Sequence, residues 1–177
     1  VVKRVYISRQ KNFCRGNRST QKFMQSLLGE FPCAVDDKGR LMLPAALCKQ
    51  LPVSQRKKLV VNRGFENHLT LYTVNVWKKV TAELNKLNLY VRKNRDFVRR
   101  FHNGATELAA DGTNRILIPK PLLQYAVISK DAVLVAFSDR IELWSQTEYD
   151  KLMKDRDVDF AALAEDVMGR SKTEDRE

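Results

Sequence analysis

The sequence has no apolar run long enough to cross a bilayer. Its most apolar stretches, such as Ala132 to Phe137, fall far short of the roughly 20 residues a spanning helix needs. No charged-then-apolar-then-small leader is visible at its start, so a soluble, cytoplasmic protein is expected. Cysteine is sparse. Cys14, Cys33 and Cys48 are odd in number, widely spaced and without a Cys-x-x-Cys pair, which argues against a disulfide framework and favours reduced thiols. Histidine is sparser still, with His68 and His102 far apart, and together with the cysteines they lack compact zinc spacing. Neither a Gly-x-Ser-x-Gly elbow nor a phosphate-cradling glycine loop is present. No metal, cofactor or catalytic site is therefore expected, and the chain reads as a binding protein rather than an enzyme.

What is present is an ordinary globular composition with an uneven charge. Of 177 residues, 44% are hydrophobic and 30% charged, enough for one core or two small, closely joined ones. The formal charge is +11, but residues 1–22 carry Lys3, Arg4, Arg9, Lys11, Arg15, Arg18 and Lys22 without an acid. That leaves only +4 for the rest. Any nucleic-acid surface must then be a local concentration of Lys and Arg rather than a whole-protein field. Residues 1–23 read as a basic, flexible extension and residues 170–177 as a charged, frayed tail.

Between them lies an internal repeat. Cys33-Ala-Val-Asp36-Asp-Lys-Gly-Arg40-Leu-Met-Leu-Pro44 is matched, 75 residues on, by Leu108-Ala-Ala-Asp111-Gly-Thr-Asn-Arg115-Ile-Leu-Ile-Pro119. Both are Asp-x-x-x-Arg, three apolar residues and Pro. Further along, Leu69-Thr-Leu71-Tyr72 with Trp77 parallels Ile141-Glu-Leu143-Trp144 with Tyr149, an aromatic pair five apart in each copy. The units are residues 29–103 and 104–169.

Each unit reads as a strand (Phe31 to Val35, Thr106 to Ala109), a polar turn whose Gly or Asn tolerates positive φ, and a second apolar strand. Pro44 and Pro119 suit the first turn of a short helix. Two β runs follow in each copy: Lys58 to Asn62 with His68 to Tyr72, and Ala132 to Phe137 with Arg140 to Trp144. Trp77, Val80, Leu84, Leu87 and Val91 recur at helical spacing, which predicts one long helix whose stripe faces the core or a subunit interface. Ser145 and Glu148 form a capping-box pattern, and Asp159 to Met168 reads as a last amphipathic helix ended by Gly169. The fold class is α+β, and neither half looks able to bury its strands alone.

The repeated turns carry the candidate chemistry. Arg40 and Arg115 occupy equivalent positions, and the guanidinium fork can donate in parallel to guanine O6 and N7 or grip phosphate oxygens. Lys38 adds a second cation in the first loop. Asp36, Gly39, Asp111 and Gly112 are expected to organise the turns, since a carboxylate is repelled by phosphate. For one motif alone, simple Asp–Arg pairing across an exposed turn is the better explanation. Its duplication favours binding. The stretch Tyr90 to Phe101 interleaves five cations with aromatics, but its spacing fits a helix with a packed face and a solvated basic side.

The phrases Gly29-Glu-Phe31, Asp36-Asp-Lys-Gly-Arg40-Leu-Met-Leu-Pro44-Ala, Asn62-Arg-Gly64-Phe, Asn94-Arg-Asp-Phe97, Gly104-Ala-Thr-Glu107 and Asp111 to Pro119 resemble the MraZ family, over residues 24–169. The resemblance implies two tandem AbrB-like (SpoVT-AbrB) swapped-hairpin modules and a homo-oligomeric ring. It also implies a nucleoid-associated transcriptional repressor of double-stranded DNA, acting on repeated boxes upstream of the division and cell-wall gene cluster. The basic residues before Met24 depart from the family pattern. The rival reading is an AbrB-type antitoxin-like interaction module, for which DNA binding is secondary.

Overall fold

A computed structural model of the chain describes residues 26–154 and 159–173. The basic extension of residues 1–23 lies outside them, as does the end of the tail. The elements are β1 (Leu27–Ala34), β2 (Arg40–Met42), α1 (Ala45–Gln50), β3 (Lys58–Arg63), β4 (His68–Thr73), α2 (Val74–Leu84) and α3 (Arg92–His102). The second half supplies β5 (Thr106–Ala109), β6 (Arg115–Leu117), α4 (Lys120–Tyr125), β7 (Asp131–Ser138), β8 (Arg140–Ser145), α5 (Gln146–Met153) and α6 (Phe160–Thr173). The class is α+β, as the sequence indicates.

The two halves are interleaved rather than docked. Six strands form one sheet in the order β1-β7-β8-β4-β3-β5, and every neighbouring pair is antiparallel. The two central hairpins, β3–β4 and β7–β8, meet through β4 and β8. Each flanking strand belongs to the other half, β1 on β7 and β5 on β3. The remaining strands, β2 and β6, pair with each other in a separate two-stranded ribbon. Each repeat thus lends a strand to its twin, which is how two units too small for independent sheets bury their apolar faces.

Alternation along the strands sends Leu59, Val61, Leu69, Leu71, Leu134, Ile141 and Leu143 to one face of the sheet. There they join Leu41 and Ile116 of the ribbon and Leu47, Leu51 and Leu122 of the short helices in a single core. On the opposite face both aromatic pairs are in contact, Tyr72 with Trp77 at 5.7 Å and Trp144 with Tyr149 at 6.3 Å between ring centroids. The repeat therefore extends to the aromatic anchors of α2 and α5. The edge of β1 is guarded by Gln50, whose carboxamide accepts from the Leu28 N–H and donates to the Leu28 carbonyl, both at 2.9 Å, as a neighbouring strand would.

Several local expectations are corrected. Pro44 and Pro119 lie one residue before the first helical turn, with ψ of 138° and 133°, and Pro121 sits inside α4. Ser145 caps α5 by position only, because its side chain makes no capping bond and Glu148 pairs with Lys151 at 2.7 Å instead. α6 passes through Gly169 rather than ending there. The long helix is broken: α2 stops at Leu84, and Asn88 Oδ1 accepts the Tyr90 N–H at 2.9 Å in a turn before α3. Of the α2 stripe, Trp77, Val80 and Leu84 are only half-buried, and Val91 is exposed.

Candidate nucleic-acid interface

The two Asp-x-x-x-Arg turns fold alike, bond for bond. In the first, Asp36 Oδ1 accepts the backbone N–H of Lys38 at 3.0 Å and of Arg40 at 2.8 Å, while Oδ2 accepts Arg40 Nε at 2.7 Å. In the second, Asp111 Oδ1 accepts the N–H of Thr113 at 2.8 Å and of Arg115 at 2.9 Å, and Oδ2 accepts Arg115 Nε at 2.8 Å. Thr113 adds its hydroxyl at 2.8 Å. The backbone N–H of Arg115, then the Thr113 hydroxyl, holds the Asp111 carboxyl well below the usual carboxylate range. Asp36 is lowered in the same way, first by the Arg40 N–H and then by its guanidinium. Both carboxylates stay ionised at any physiological pH.

The positive φ that closes each turn falls on Gly39 (84°) and Asn114 (60°). Gly112, expected to help organise its turn, has no positive φ, and a Cβ there would meet nothing within 4 Å. A Cβ on Gly39 would come within 2.9 Å of the Ile118 carbonyl oxygen. That contact reflects a reciprocal clamp. The Ile118 N–H donates to the Gly39 carbonyl and the Leu43 N–H to the Asn114 carbonyl, each at 2.9 Å. Each turn is thereby fixed by the strand leaving the other turn.

The ribbon brings the two arginines onto one small surface. Its register sets Arg40 opposite Leu117, Leu41 opposite Ile116 and Met42 opposite Arg115. Leu41 and Ile116 point inward with no exposure, so alternation turns the other four side chains outward. The guanidiniums occupy one diagonal; Met42 and Leu117, 59% and 57% exposed, occupy the other. Asp–Arg pairing across the turn, the plainer reading, is thus present, but it engages only Nε. Among the described residues the terminal amino groups of Arg40 and Arg115 make no hydrogen bond that would compete with a ligand, and the ion pair fixes the direction of the fork. Lys38 is exposed beside Arg40.

The basic stretch behaves as the spacing indicates. On α3, Phe101 is buried and stacks on Trp77 at 5.7 Å, with Phe97 at 6.2 Å from Phe101. Arg95 Nη1 caps the carbonyls of Leu89 and Tyr90 at 2.7 Å, and Arg92 and Arg99 both approach Asp96. The cations left to solvent form one side of a packed helix.

His68 does not stand alone in the way its sequence position implied. It is buried on the outer face of the sheet, stacked on Trp144 at 4.3 Å, with Nε2 3.6 Å from Glu142 and Nδ1 without a hydrogen bond among the described residues. Burial pushes its imidazole down to about 4 and pushes the Glu142 carboxyl up. The signs oppose each other. Between pH 6.5 and 4 the unfolded His68 takes up a proton that the folded one refuses, so stability falls with acidification; Glu142, protonated earlier when folded, offsets part of this. The His68 share is roughly 3 kcal/mol across that window. Chemical denaturation of the protein and of His68→Asn at pH 7 and pH 4.5 isolates it. The variant should lose less stability on acidification, and equal losses would contradict the assignment.

Comparison with known proteins supplies the family. The family described as "MraZ protein, putative antitoxin-like" matches residues 26–100 and again 101–171. The chain belongs to the MraZ family. Among its relatives, the transcriptional regulator MraZ of Flavobacterium psychrophilum is 44% identical over 147 residues, covering 82% of this chain and 94% of its own. That of Christiangramia forsetii is 42% identical, covering 82% and 95%. The more distant MraZ of Caldanaerobacter subterraneus subsp. tengcongensis is 35% identical over 139 residues, covering 78% and 94%. All three relatives are named as transcriptional regulators. Among the described residues no helix is long and apolar enough to cross a membrane.

Proposed function

We propose that this MraZ-family chain is a sequence-specific regulator of double-stranded DNA, in which Arg40 and Arg115, with Lys38 beside them, meet the duplex. The observation that carries the proposal is the shared ribbon. Two guanidiniums from the two repeats, each aimed by its own ionised aspartate, share one exposed face of a two-stranded ribbon, an element the major groove admits. Asp36, Gly39, Asp111 and Asn114 hold the turns and touch no DNA. The units of residues 29–103 and 104–169 act as one binding head, since their strands are exchanged.

The finer reading is repression by promoter occupancy, on repeated boxes upstream of the division and cell-wall gene cluster, in the nucleoid of the cytoplasm. Assembly into a homo-oligomeric ring would link many such heads, so that one engaged head raises the effective concentration of the next. The half-buried stripe of α2 and the exposed Leu89, Tyr90 and Val91 after it support self-association.

Selection of bound duplexes from a random-sequence pool tests the class, with the mass of the purified protein measured alongside. A recovered motif that recurs within each bound duplex, and a particle containing only this chain, are expected. A pool that enriches nothing, with a second polypeptide co-purifying in fixed ratio, would favour the antitoxin-like reading.

A further inference from the structure

We infer that Met42 and Leu117 are specificity-determining residues that contact thymine 5-methyl groups in the major groove, beside the positions taken by Arg40 and Arg115. The inference rests on the DNA reading of this same ribbon and adds residues that the Asp-x-x-x-Arg motif does not contain.

Three observations carry it. Met42 is flanked by Leu41 and Leu43, at 0% and 2% exposure, and Leu117 by Ile116 and Ile118, at 0% and 1%. In each run the middle residue alone faces out, so neither side chain is needed by the core. The same outward apolar residue recurs at the equivalent position of both repeats, in strands that pair with each other. And each lies directly across the ribbon from an arginine, Leu117 from Arg40 and Met42 from Arg115.

Cross-strand neighbours sit about 5 Å apart at Cβ, and same-face positions along a strand about 7 Å apart. The latter is roughly two base steps of 3.4 Å. Four side chains on this patch therefore span about three base pairs, with polar and apolar tips alternating from corner to corner. The major groove edge of an A·T pair offers one apolar feature, the thymine methyl, and a flexible thioether or a leucyl methyl is suited to it. Two large apolar side chains beside two cations are poorly matched to phosphates alone, where lysine or serine would serve better. They fit a surface that is charged and apolar by turns.

The test uses the full-length protein and the duplex most enriched from the random pool. Each thymine in turn is replaced by deoxyuridine, which deletes the methyl and keeps every hydrogen-bonding group. At one or more thymines per motif the wild type should bind roughly three- to fivefold more weakly after replacement. Met42→Gln and Leu117→Gln should each be indifferent to deoxyuridine at their own thymine while keeping oligomeric size. Enriched motifs without thymine, unchanged wild-type binding at every replacement, or variants that respond to deoxyuridine as the wild type does would overturn the inference. A change in oligomeric size on Met42→Gln or Leu117→Gln would overturn it too, by making the patch a contact between copies of the chain. Arg40→Ala and Arg115→Ala on the same duplex keep the two readings apart. If they weaken binding and deoxyuridine does not, the methyl contact alone fails; if they also bind normally, the ribbon is not the DNA surface.

Discussion

Replacing Arg40 and Arg115 together by alanine is expected to reduce binding to the selected duplex to the level of unrelated DNA without lowering the melting temperature. Each arginine that forms a bidentate contact with a base is worth about 1–3 kcal/mol, or roughly five- to 150-fold in affinity. The two lie on one ribbon, so their losses need not add, but in an oligomer every engaged head would lose both. The fold should tolerate the change. Both guanidiniums are exposed, and each turn keeps the backbone bonds to Asp36 or Asp111 that do not involve the arginine side chain. Gel shifts at two salt concentrations also separate the modes of contact. Loss of base readout relaxes preference at one position, whereas loss of a phosphate contact weakens all sequences evenly and lowers the salt slope by about one.

Leu41→Ala is expected to do the converse, costing about 2–5 kcal/mol of stability as a fully buried leucine truncated to alanine. Leu41 pairs with Ile116 at the centre of the ribbon, and both have no exposed surface. The cavity would open directly beneath the arginines, so the surviving folded protein should also bind DNA more weakly. Ile116→Ala should behave alike, and the double variant should depart from additivity because the two side chains share one site. Denaturant titration measures the stability change. A loss below about 0.5 kcal/mol, the range of an uninvolved surface position, would show that the ribbon is not anchored by this pair.

Much of this architecture is legible in the chain because it is local. The turn residues, the proline after each apolar triplet and the aromatic pairs five apart announce the repeat and its strands. The exchange of strands is not legible. Nothing near Cys33 indicates that it lies against Ala132, since the choice between pairing within a repeat and pairing across repeats is decided by how the whole core closes. The broken helix shows local competition instead. Leu87 and Val91 continue the three-four spacing, but Asn88 offers the backbone a turn that the helix does not recover.

At the candidate site, Arg40 and Arg115 stand out in the sequence, whereas Met42 and Leu117 do not. Leu-Met-Leu and Ile-Leu-Ile are unbroken apolar triplets, and only the alternation imposed by a short strand reveals that the middle member faces out. Gly112 illustrates the opposite error. It suggests a positive φ by its identity, but the turn places that conformation two residues later, on Asn114.

The central claim, that the paired arginines of the ribbon meet bases in the major groove, is tested most directly by dimethyl sulfate footprinting on the chain's own upstream region. The reagent methylates guanine N7, the atom an arginine fork would cover. Wild type is expected to protect guanines in regularly repeated boxes, and the Arg40→Ala/Arg115→Ala protein, at a concentration that still occupies the DNA, to leave the same guanines reactive. Guanines equally protected by both proteins, or reactive in both while the DNA is bound, would contradict it.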